Sequence, residues 1–171
     1  MYYADIKYPD VANGLGVRVS LFVSGCRRHC PECFNVEAQD FKYGKPFTNK
    51  EVKLIGSKLE LPQVRGLTLL GGEPMELENV AELLSLCKYF KEQYPNKDIW
   101  CYTGYTFEEL VERKDVTTTE ILKYIDILVD GDFQIDKKSL SLKFRGSSNQ
   151  RIIDVQKTLK TKNIVLVKEL V

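Results

Sequence analysis

The sequence predicts an α/β fold built on a mostly parallel sheet, in the form of an incomplete, open (β/α) barrel. Apolar runs typical of buried strands alternate with amphipathic helical patterns, which is the signature of βαβ units. Crossovers between parallel strands are right-handed, so such a sheet curls in one direction. With 171 residues the chain is shorter than the roughly 250 residues of a closed eight-fold barrel. Because no repeat or linker divides the chain, residues 1–171 are predicted to form a single domain.

The strands are predicted from short runs of β-branched and apolar residues that are bounded by turn-forming residues. An extended, turn-prone segment at residues 1–16 precedes the first of these runs, at residues 17–23. Residues 132–162 are polar and are expected to be rich in loops. Further strands are predicted at residues 66–70, 98–102, 125–129 and 164–167.

The helices are predicted from capping boxes and from apolar residues at helical spacing. In a capping box the Ser or Thr side chain binds a free backbone N–H and the Glu three residues later reaches back. Three such patterns occur, at Thr48–Glu51, Thr106–Glu109 and Thr117–Glu120. The most regular helical pattern lies after residue 76, where the predicted buried face consists of Leu77, Val80, Ala81, Leu84, Cys87 and Phe90.

The overall composition excludes several classes of protein. The net charge is +1 and the pI is about 7.5, so no general electrostatic attraction to nucleic acid or to an anionic membrane is expected. No apolar run has the length needed to span a bilayer, and the N-terminus lacks the pattern of a signal peptide. A cytoplasmic location is therefore predicted, and the five cysteines indicate metal ligation or reduced thiols.

Three cysteines are concentrated in one short loop after the first predicted strand. Cys26, Cys30 and Cys33 have the spacing C-x-x-x-C-x-x-C. Three thiolates can hold a 4Fe-4S cluster and leave one iron without a protein ligand. A zinc site is an alternative, although structural zinc usually takes four ligands and His29 is the single histidine of the chain. Cys87 and Cys101 fall on a helix face and at a strand end, where packing in the core is the expected role, and ligation from a distance is the alternative for Cys101.

Four polar or glycine-rich segments each follow the carboxyl end of a predicted strand. In parallel α/β folds the ligand site lies at this edge of the sheet. One shared pocket is therefore predicted from the segments Cys26–Cys33, Gly71–Pro74, Thr103–Tyr105 and Asp130–Gly131. Thr103 and Asp130 also belong to the residue types that bind their own backbone in turns, so both interpretations stay open for these two.

The cysteine loop followed by Gly71-Gly72-Glu73-Pro74 resembles the radical S-adenosylmethionine (SAM) superfamily. Further segments resemble, in order along nearly the whole chain, one family within it, the activating proteins of anaerobic ribonucleoside-triphosphate reductase. These segments are Asn13–Gly16, Leu21–Cys26, Trp100–Tyr105, Val129–Gly131 and Arg145–Gln150. The resemblance implies an incomplete barrel of the radical SAM type.

The resemblance also implies the cofactors and their ligands. Cys26, Cys30 and Cys33 would hold a 4Fe-4S cluster whose open iron binds the amino and carboxylate groups of SAM. Gly71 and Gly72 would let the backbone approach the methionine end, Glu73 would accept from its ammonium group and Pro74 would stiffen the turn. The remaining predicted contacts of SAM are Glu32, Cys33 and Phe34 around the adenine, and Thr103 and Asp130 near the ribose or carboxylate.

The implied function is that of an activating enzyme. Reductive cleavage of SAM at the cluster would give a 5'-deoxyadenosyl radical, which would generate a glycyl radical on anaerobic ribonucleoside-triphosphate reductase. The expected partners are this reductase and a flavodoxin-like or other one-electron donor. The alternatives are an activase of another glycyl-radical enzyme, an enzyme similar to 7-carboxy-7-deazaguanine synthase, and a non-catalytic zinc or iron–sulfur module.

Overall fold

One seven-stranded sheet runs through the computed structural model, which describes residues 1–170. The strands are β1 (Tyr2–Asp10), β2 (Val17–Val23), β3 (Lys45–Pro46), β4 (Val64–Gly71), β5 (Asp98–Tyr102), β6 (Ile127–Asp130) and β7 (Arg151–Asp154). The α-helices are α1 (Asn49–Leu59), α2 (Leu77–Gln93), α3 (Phe107–Glu112), α4 (Val116–Leu122) and α5 (Val155–Thr161). Short 3₁₀ turns lie at Glu37–Gln39, Ile135–Lys137 and Lys168–Leu170.

The sheet has the order β3-β1-β2-β4-β5-β6-β7. Its four central strands, β2, β4, β5 and β6, are parallel to their neighbours in this group. The outer strands β1, β3 and β7 pair antiparallel. The prediction of an α/β fold with a mostly parallel central sheet is thus confirmed.

The parallel pairing brings the carboxyl ends of the central strands to one edge. Val23, the last residue of β2, pairs with Gly71, the last residue of β4. Tyr102 at the end of β5 pairs with Val129 of β6. The loops that follow these four strands therefore leave the sheet side by side.

The main core lies between one face of the sheet and the helices. Alternate residues of the central strands are fully buried on this face, as the period of a strand requires, and they pack against the apolar face of α2. The opposite face carries a smaller cluster around Trp100. There the fully buried Arg18 forms an ion pair with Asp98 at 2.6 Å and lies 5.3 Å from the centre of the Trp100 ring.

The two ends of the chain differ from the prediction. Residues 2–10 form the nine-residue strand β1, which lies beside β2, so the predicted first strand is the second one. The predicted strand at residues 164–167 is wrong, since this segment makes only an isolated bridge between Leu166 and Ile153. The last strand is instead β7, inside the segment that was expected to be rich in loops.

Two of the three predicted capping boxes are confirmed, at Thr48 and Thr106. The third is wrong because Asp115 caps α4, where its carboxylate accepts from the N–H of Thr118 at 2.7 Å. Helix α2 is also rotated relative to the prediction. Its buried residues include Leu83 and Leu86, whereas Leu77 and Ala81 are exposed. Within residues 1–170, no helix combines the length and the apolar character needed to cross a bilayer.

Candidate functional site

A cavity of about 220 Å³ lies at the edge of the sheet where the four parallel strands end. Its walls come from the loops after β2, β4, β5 and β6 and from the segment before β7. The prediction of one pocket shared by these loops is therefore supported by the geometry. The lining residues are Cys26, Arg28, Cys30, Cys33, Phe34, Asn35, Gln39, Leu70, Gly71, Gly72, Glu73, Tyr102, Thr103, Gly104, Gly131, Phe133, Gly146 and Gln150.

The three cysteines of the loop after β2 all line this cavity. Each thiol is free and partly buried. The residues directly before the second and third cysteines, His29 and Glu32, adopt left-handed backbone conformations with φ of +47° and +57°. Such conformations are uncommon for side chains other than glycine. Both residues lie in the loop whose three thiols line the cavity.

Two of the sulfur atoms accept hydrogen bonds from the backbone. The N–H of Arg28 donates to Cys26 Sγ and the N–H of Asn35 donates to Cys33 Sγ, each at 3.4 Å. Burial raises the pKa of the Cys26 thiol to about 11, and the negative charges of Glu73 and Glu76 act in the same direction, while the N–H of Arg28 opposes them. The positive charge of a bound metal offsets the cost of ionising this buried thiol, and ligation deprotonates it.

Three thiols, the donors that hold iron–sulfur clusters, line this pocket. Within residues 1–170, no group of three or more His, Cys, Asp or Glu side chains is placed so that it could hold a single metal ion. Cys87 and Cys101 are fully buried in the main core and do not line the cavity. Burial raises the pKa of both thiols, as expected for packed core cysteines. Ligation of a cluster by Cys26, Cys30 and Cys33 stays a prediction.

Gly71 and Gly72 line the cavity, but the structure gives a different reason for their lack of side chains. Gly71 has φ of +110°, and a Cβ there would lie 2.6 Å from the carbonyl oxygen of Val23. A Cβ at Gly72 would lie 2.7 Å from the carbonyl oxygens of Ala38 and Gly25. Both glycines are therefore required by the close packing of this turn against β2 and the cysteine loop.

The Glu73 carboxylate is buried at the base of the cavity and is already hydrogen-bonded. Its Oε1 accepts from the Met75 N–H at 2.8 Å and from Thr103 Oγ1 at 2.7 Å, and its Oε2 accepts from the Gly104 N–H at 2.7 Å. Burial raises the pKa of Glu73 to about 7, although these three hydrogen bonds lower it. One lone pair of Oε2 remains for a ligand.

The loop after β5 completes this part of the wall. Thr103 Oγ1 donates to Glu73 and accepts from the N–H of Tyr105 at 3.1 Å. Thr103 thus both lines the cavity and stabilises its own turn. Pro74 is buried behind the turn and does not line the cavity.

Phe34 lies at the mouth of the cavity and Glu32 lies beside it. The Phe34 side chain is 73% exposed, and its ring centre is 5.5 Å from that of Phe133. Lys138 Nζ lies 5.0 Å from the same ring. Glu32 is exposed and lines an adjacent groove that also includes Phe34. An exposed ring at the entrance is available for stacking on a ligand.

Asp130 lies outside the lining of the cavity. Its carboxylate is buried and accepts from the Phe107 N–H at the start of α3 at 2.7 Å. It also accepts from Arg151 of β7, with Nε–Oδ1 at 3.0 Å. The geometry therefore favours a structural role in which Asp130 ties β6 to α3 and β7.

Several lining residues were not identified from the sequence as cofactor contacts. Arg28 lies between two of the cysteines, and Asn35 donates from Nδ2 to the Gly71 carbonyl at 3.1 Å. Gln150 closes the far wall, where Nε2 donates to the Gly131 carbonyl at 2.9 Å and Oε1 accepts from the Gly146 N–H at 2.8 Å. The polar segment Arg145–Gln150 was the sequence signal for this last contact.

The family model and the individual relatives that match this chain agree with each other. A family model described as "4Fe-4S single cluster domain" matches residues 12–153. The anaerobic ribonucleoside-triphosphate reductase-activating protein of Pasteurella multocida is 43% identical over 154 residues, which cover 89% of this chain and 96% of that protein. The proteins of the same name from Enterobacteria phage T4 and Escherichia coli K12 are each 40% identical, over 86% and 84% of this chain and 91% and 92% of their own lengths.

Proposed function

The chain belongs to the family of anaerobic ribonucleoside-triphosphate reductase-activating proteins, and on this premise we propose that it is a radical SAM activase of such a reductase. The observation that carries the proposal is the placement of the three loop cysteines and the Gly71–Glu73 turn on one cavity. Relatives at about 40% identity over most of their length share this name, and the family model describes a 4Fe-4S domain.

Cys26, Cys30 and Cys33 are proposed to hold three irons of a 4Fe-4S cluster through their thiolates. When bound, the cluster and SAM supply one-electron cleavage of a sulfonium and hence a radical able to abstract hydrogen from a glycine Cα. The N–H groups of Arg28 and Asn35 hold the outer two of the three sulfur atoms in position. A cluster held by these three thiols, which line the cavity, would leave one iron without a protein ligand.

Glu73 is proposed to bind the ammonium group of SAM through the free lone pair of Oε2. Its other acceptor positions are occupied by Met75, Thr103 and Gly104, which fix the orientation of the carboxylate. A cation beside a buried carboxylate favours its ionised form. The ammonium group therefore offsets the burial that raises the pKa of Glu73.

The aromatic contact is assigned to Phe34 and the backbone around it. The ring is exposed at the mouth of the cavity beside Phe133, so a flat base can stack there without displacing core residues. Glu32 lies on the adjacent groove and is assigned a backbone contact. Thr103 lines the cavity and is assigned a contact with the ribose or carboxylate.

The sheet is proposed to form the wall of an incomplete barrel. Three crossovers link its parallel strands, and such crossovers are right-handed. Its second face is buried around Trp100 and Arg18. Both features are expected of a sheet that curls around an interior. An incomplete barrel leaves one side of the cavity open for a glycine loop of the reductase.

The expected protein partner is anaerobic ribonucleoside-triphosphate reductase, named in the relatives, together with a flavodoxin-like or other one-electron donor. The test is anaerobic reconstitution with iron and sulfide, followed by reduction in the presence of SAM. We expect 5'-deoxyadenosine and, after addition of the reductase, a glycyl-radical signal in electron paramagnetic resonance. If no 5'-deoxyadenosine forms, the proposal is overturned.

Variants of the cysteines make this test specific. Cys26→Ala, Cys30→Ala and Cys33→Ala should each lose the iron and sulfide content of the reconstituted protein and its SAM cleavage. Cys87→Ala, a matched removal of a buried thiol from the core, should retain the cluster and cost about 1–3 kcal/mol of stability. Loss of the cluster in the Cys87 variant would contradict the assignment of the ligands.

A further inference from the structure

The cavity is lined by two charged side chains within residues 1–170, Arg28 and Glu73. Glu73 has the hydrogen-bond partners described above. Arg28 lies in the cysteine loop, two residues after Cys26, and its side chain is 24% exposed. The pocket therefore carries one negative and one positive group on its wall.

The Arg28 guanidinium is held by stacking instead of by hydrogen bonds. Its Cζ lies 4.8 Å from the centre of the Tyr105 ring. The same ring stacks with Arg113, whose Cζ is 3.9 Å from the ring centre and whose Nη1 donates to the Met75 carbonyl at 2.5 Å. The ring is thus fixed by a second arginine, and it positions Arg28 at the cavity.

The donors of the Arg28 guanidinium make no hydrogen bond in the part of the chain that the structure describes. The nearest carboxylate oxygen is Oε1 of Glu109, at 3.9 Å from Nη1, which is beyond hydrogen-bond distance. The adjacent Arg27 is the opposite case, because its guanidinium binds both Glu76 and Glu78. Of two neighbouring arginines, only the one at the cavity keeps its donors free.

Arg28 and Glu73 face the same point of the wall. A Cβ placed on Gly104 would lie 3.2 Å from Arg28 Nε and 3.4 Å from Glu73 Oε2. Oε2, the oxygen of Glu73 that keeps a free lone pair, and Nε of the unbonded guanidinium thus both border the Gly104 position. An α-amino acid group carries an ammonium and a carboxylate on one carbon, and this pair of side chains offers a complementary charge to each.

We propose that Arg28 binds the carboxylate of the amino-acid end of SAM while Glu73 binds its ammonium group. This inference rests on the proposed function and makes Arg28 a binding and specificity residue of the same site. Arginine suits the role because its planar fork matches the geometry of a carboxylate. Without a cation, the negative wall at Glu73 would repel the carboxylate that accompanies the ammonium group.

The test compares SAM with decarboxylated SAM, which keeps the ammonium group and lacks the carboxylate. Equilibrium binding is measured on the anaerobic, oxidised holoprotein without reductant, so that no SAM is consumed. Wild-type protein, Arg28→Gln, Arg28→Lys and the control Arg27→Gln are first matched for iron and sulfide content. Arg27 does not line the cavity, so its variant should bind SAM as the wild type does.

We expect Arg28→Gln to weaken SAM binding by about 10- to 100-fold, as for loss of a charge-assisted hydrogen bond. Its affinity for decarboxylated SAM should stay near that of the wild type, so the preference for SAM falls by the same factor. Arg28→Lys keeps the positive charge but lacks the planar fork of donors. Its affinity for SAM should therefore lie between those of the wild type and Arg28→Gln.

Two results would overturn the inference. If Arg28→Gln binds SAM as tightly as the wild type, Arg28 makes no contact with it. If both ligands weaken equally, Arg28 supports the cluster loop and does not recognise the carboxylate. Failure of the proposed function is distinguishable from both, because the matched wild-type holoprotein would then bind neither ligand.

Discussion

Glu73 Oε2 accepts the backbone N–H of Gly104 at 2.7 Å, which ties the turn after β4 to the turn after β5. The other oxygen of the same carboxylate accepts the Met75 N–H. Each oxygen thus faces a backbone donor that cannot rotate away. One buried side chain thereby holds together two walls of the cavity, independently of any ligand.

Replacing Glu73 by Gln should destabilise the protein in the absence of cofactors. A glutamine has one acceptor oxygen, so its amide nitrogen would face either Met75 N–H or Gly104 N–H. We expect the free energy of unfolding of the apoprotein to fall by about 1–3 kcal/mol in urea denaturation. Glu92→Gln, at an exposed position of α2, should change it by less than about 0.5 kcal/mol. Equal effects of the two variants would contradict the structural role of Glu73.

The same carboxyl group should make stability depend on pH. Its pKa in the folded protein is raised to about 7 from the ordinary 4.5, so folding favours the protonated form. The corresponding stabilisation is complete below about pH 4.5 and is lost as the pH rises through 7. Its size is on the order of 3 kcal/mol.

Comparison with Glu73→Gln isolates this effect, because other titrations are common to both proteins. The difference in free energy of unfolding between wild type and Glu73→Gln should be largest near pH 5 and should shrink by pH 8. The measurement is urea denaturation of the two apoproteins across this range. A difference that grows with pH would show that folding favours the ionised form of Glu73.

The positions of the site loops follow from local sequence patterns. Apolar runs at residues 17–23, 66–70 and 98–102 predict strands that the structure contains. The parallel arrangement then requires their carboxyl ends to meet. Because both features depend on periodicity and on chain direction, the shared cavity could be predicted without knowledge of any side-chain contact.

The directions of individual side chains depend on distant contacts and could not be predicted in the same way. Arg28 faces the cavity because Tyr105, far along the chain, stacks on it. Asp130 turns away from it because Arg151 and the N-terminus of α3 bind its carboxylate. A side chain at a strand end can face either the cavity or a neighbouring element, and the local sequence pattern is the same in both cases.

The short strand β7 escaped prediction for a similar reason. Its four residues lie in a polar segment, and their extended conformation is stabilised by antiparallel pairing with β6. The capping box at Thr117 is absent for a local reason, because Asp115 competes with Thr117 as the N-cap of α4. Asp115, two residues earlier, accepts the N–H of Thr118 and starts the helix before Thr117, and both residue types are good N-caps.

A methyl group at Gly71 should damage the fold before it affects any ligand. Ala at φ of +110° is strained, and its Cβ would contact the Val23 carbonyl. We expect Gly71→Ala to lower the free energy of unfolding of the apoprotein by at least about 2 kcal/mol. Gly56→Ala is the control, because its Cβ would lie 3.6 Å from the Tyr94 hydroxyl, an ordinary contact.

The control should in fact stabilise the protein, by about 0.5–1 kcal/mol, since alanine replaces glycine inside helix α1. Opposite signs for the two variants in urea denaturation would support a packing role for Gly71. If Gly71→Ala keeps wild-type stability and loses only SAM affinity, the sequence-based role of Gly71 as a close approach to the cofactor is favoured.

Asp130 offers a direct choice between a structural and a cofactor-binding role. Both of its oxygens face donors, from Phe107 and from Arg151. Asn at this position would direct its amide nitrogen at one of them. We therefore expect Asp130→Asn to reduce the stability of the apoprotein by about 1–3 kcal/mol and to leave the SAM affinity of the folded holoprotein within about twofold of wild type.

Urea denaturation and equilibrium SAM binding measure the two quantities separately. Asp136→Asn, an exposed change of the same type, should alter neither. The reverse pattern for Asp130→Asn, unchanged stability with tenfold weaker SAM binding, would show that Asp130 contacts SAM as the sequence predicts. It would also require the Asp130–Arg151 pair to open when SAM binds, because at present Arg151 occupies both carboxylate oxygens.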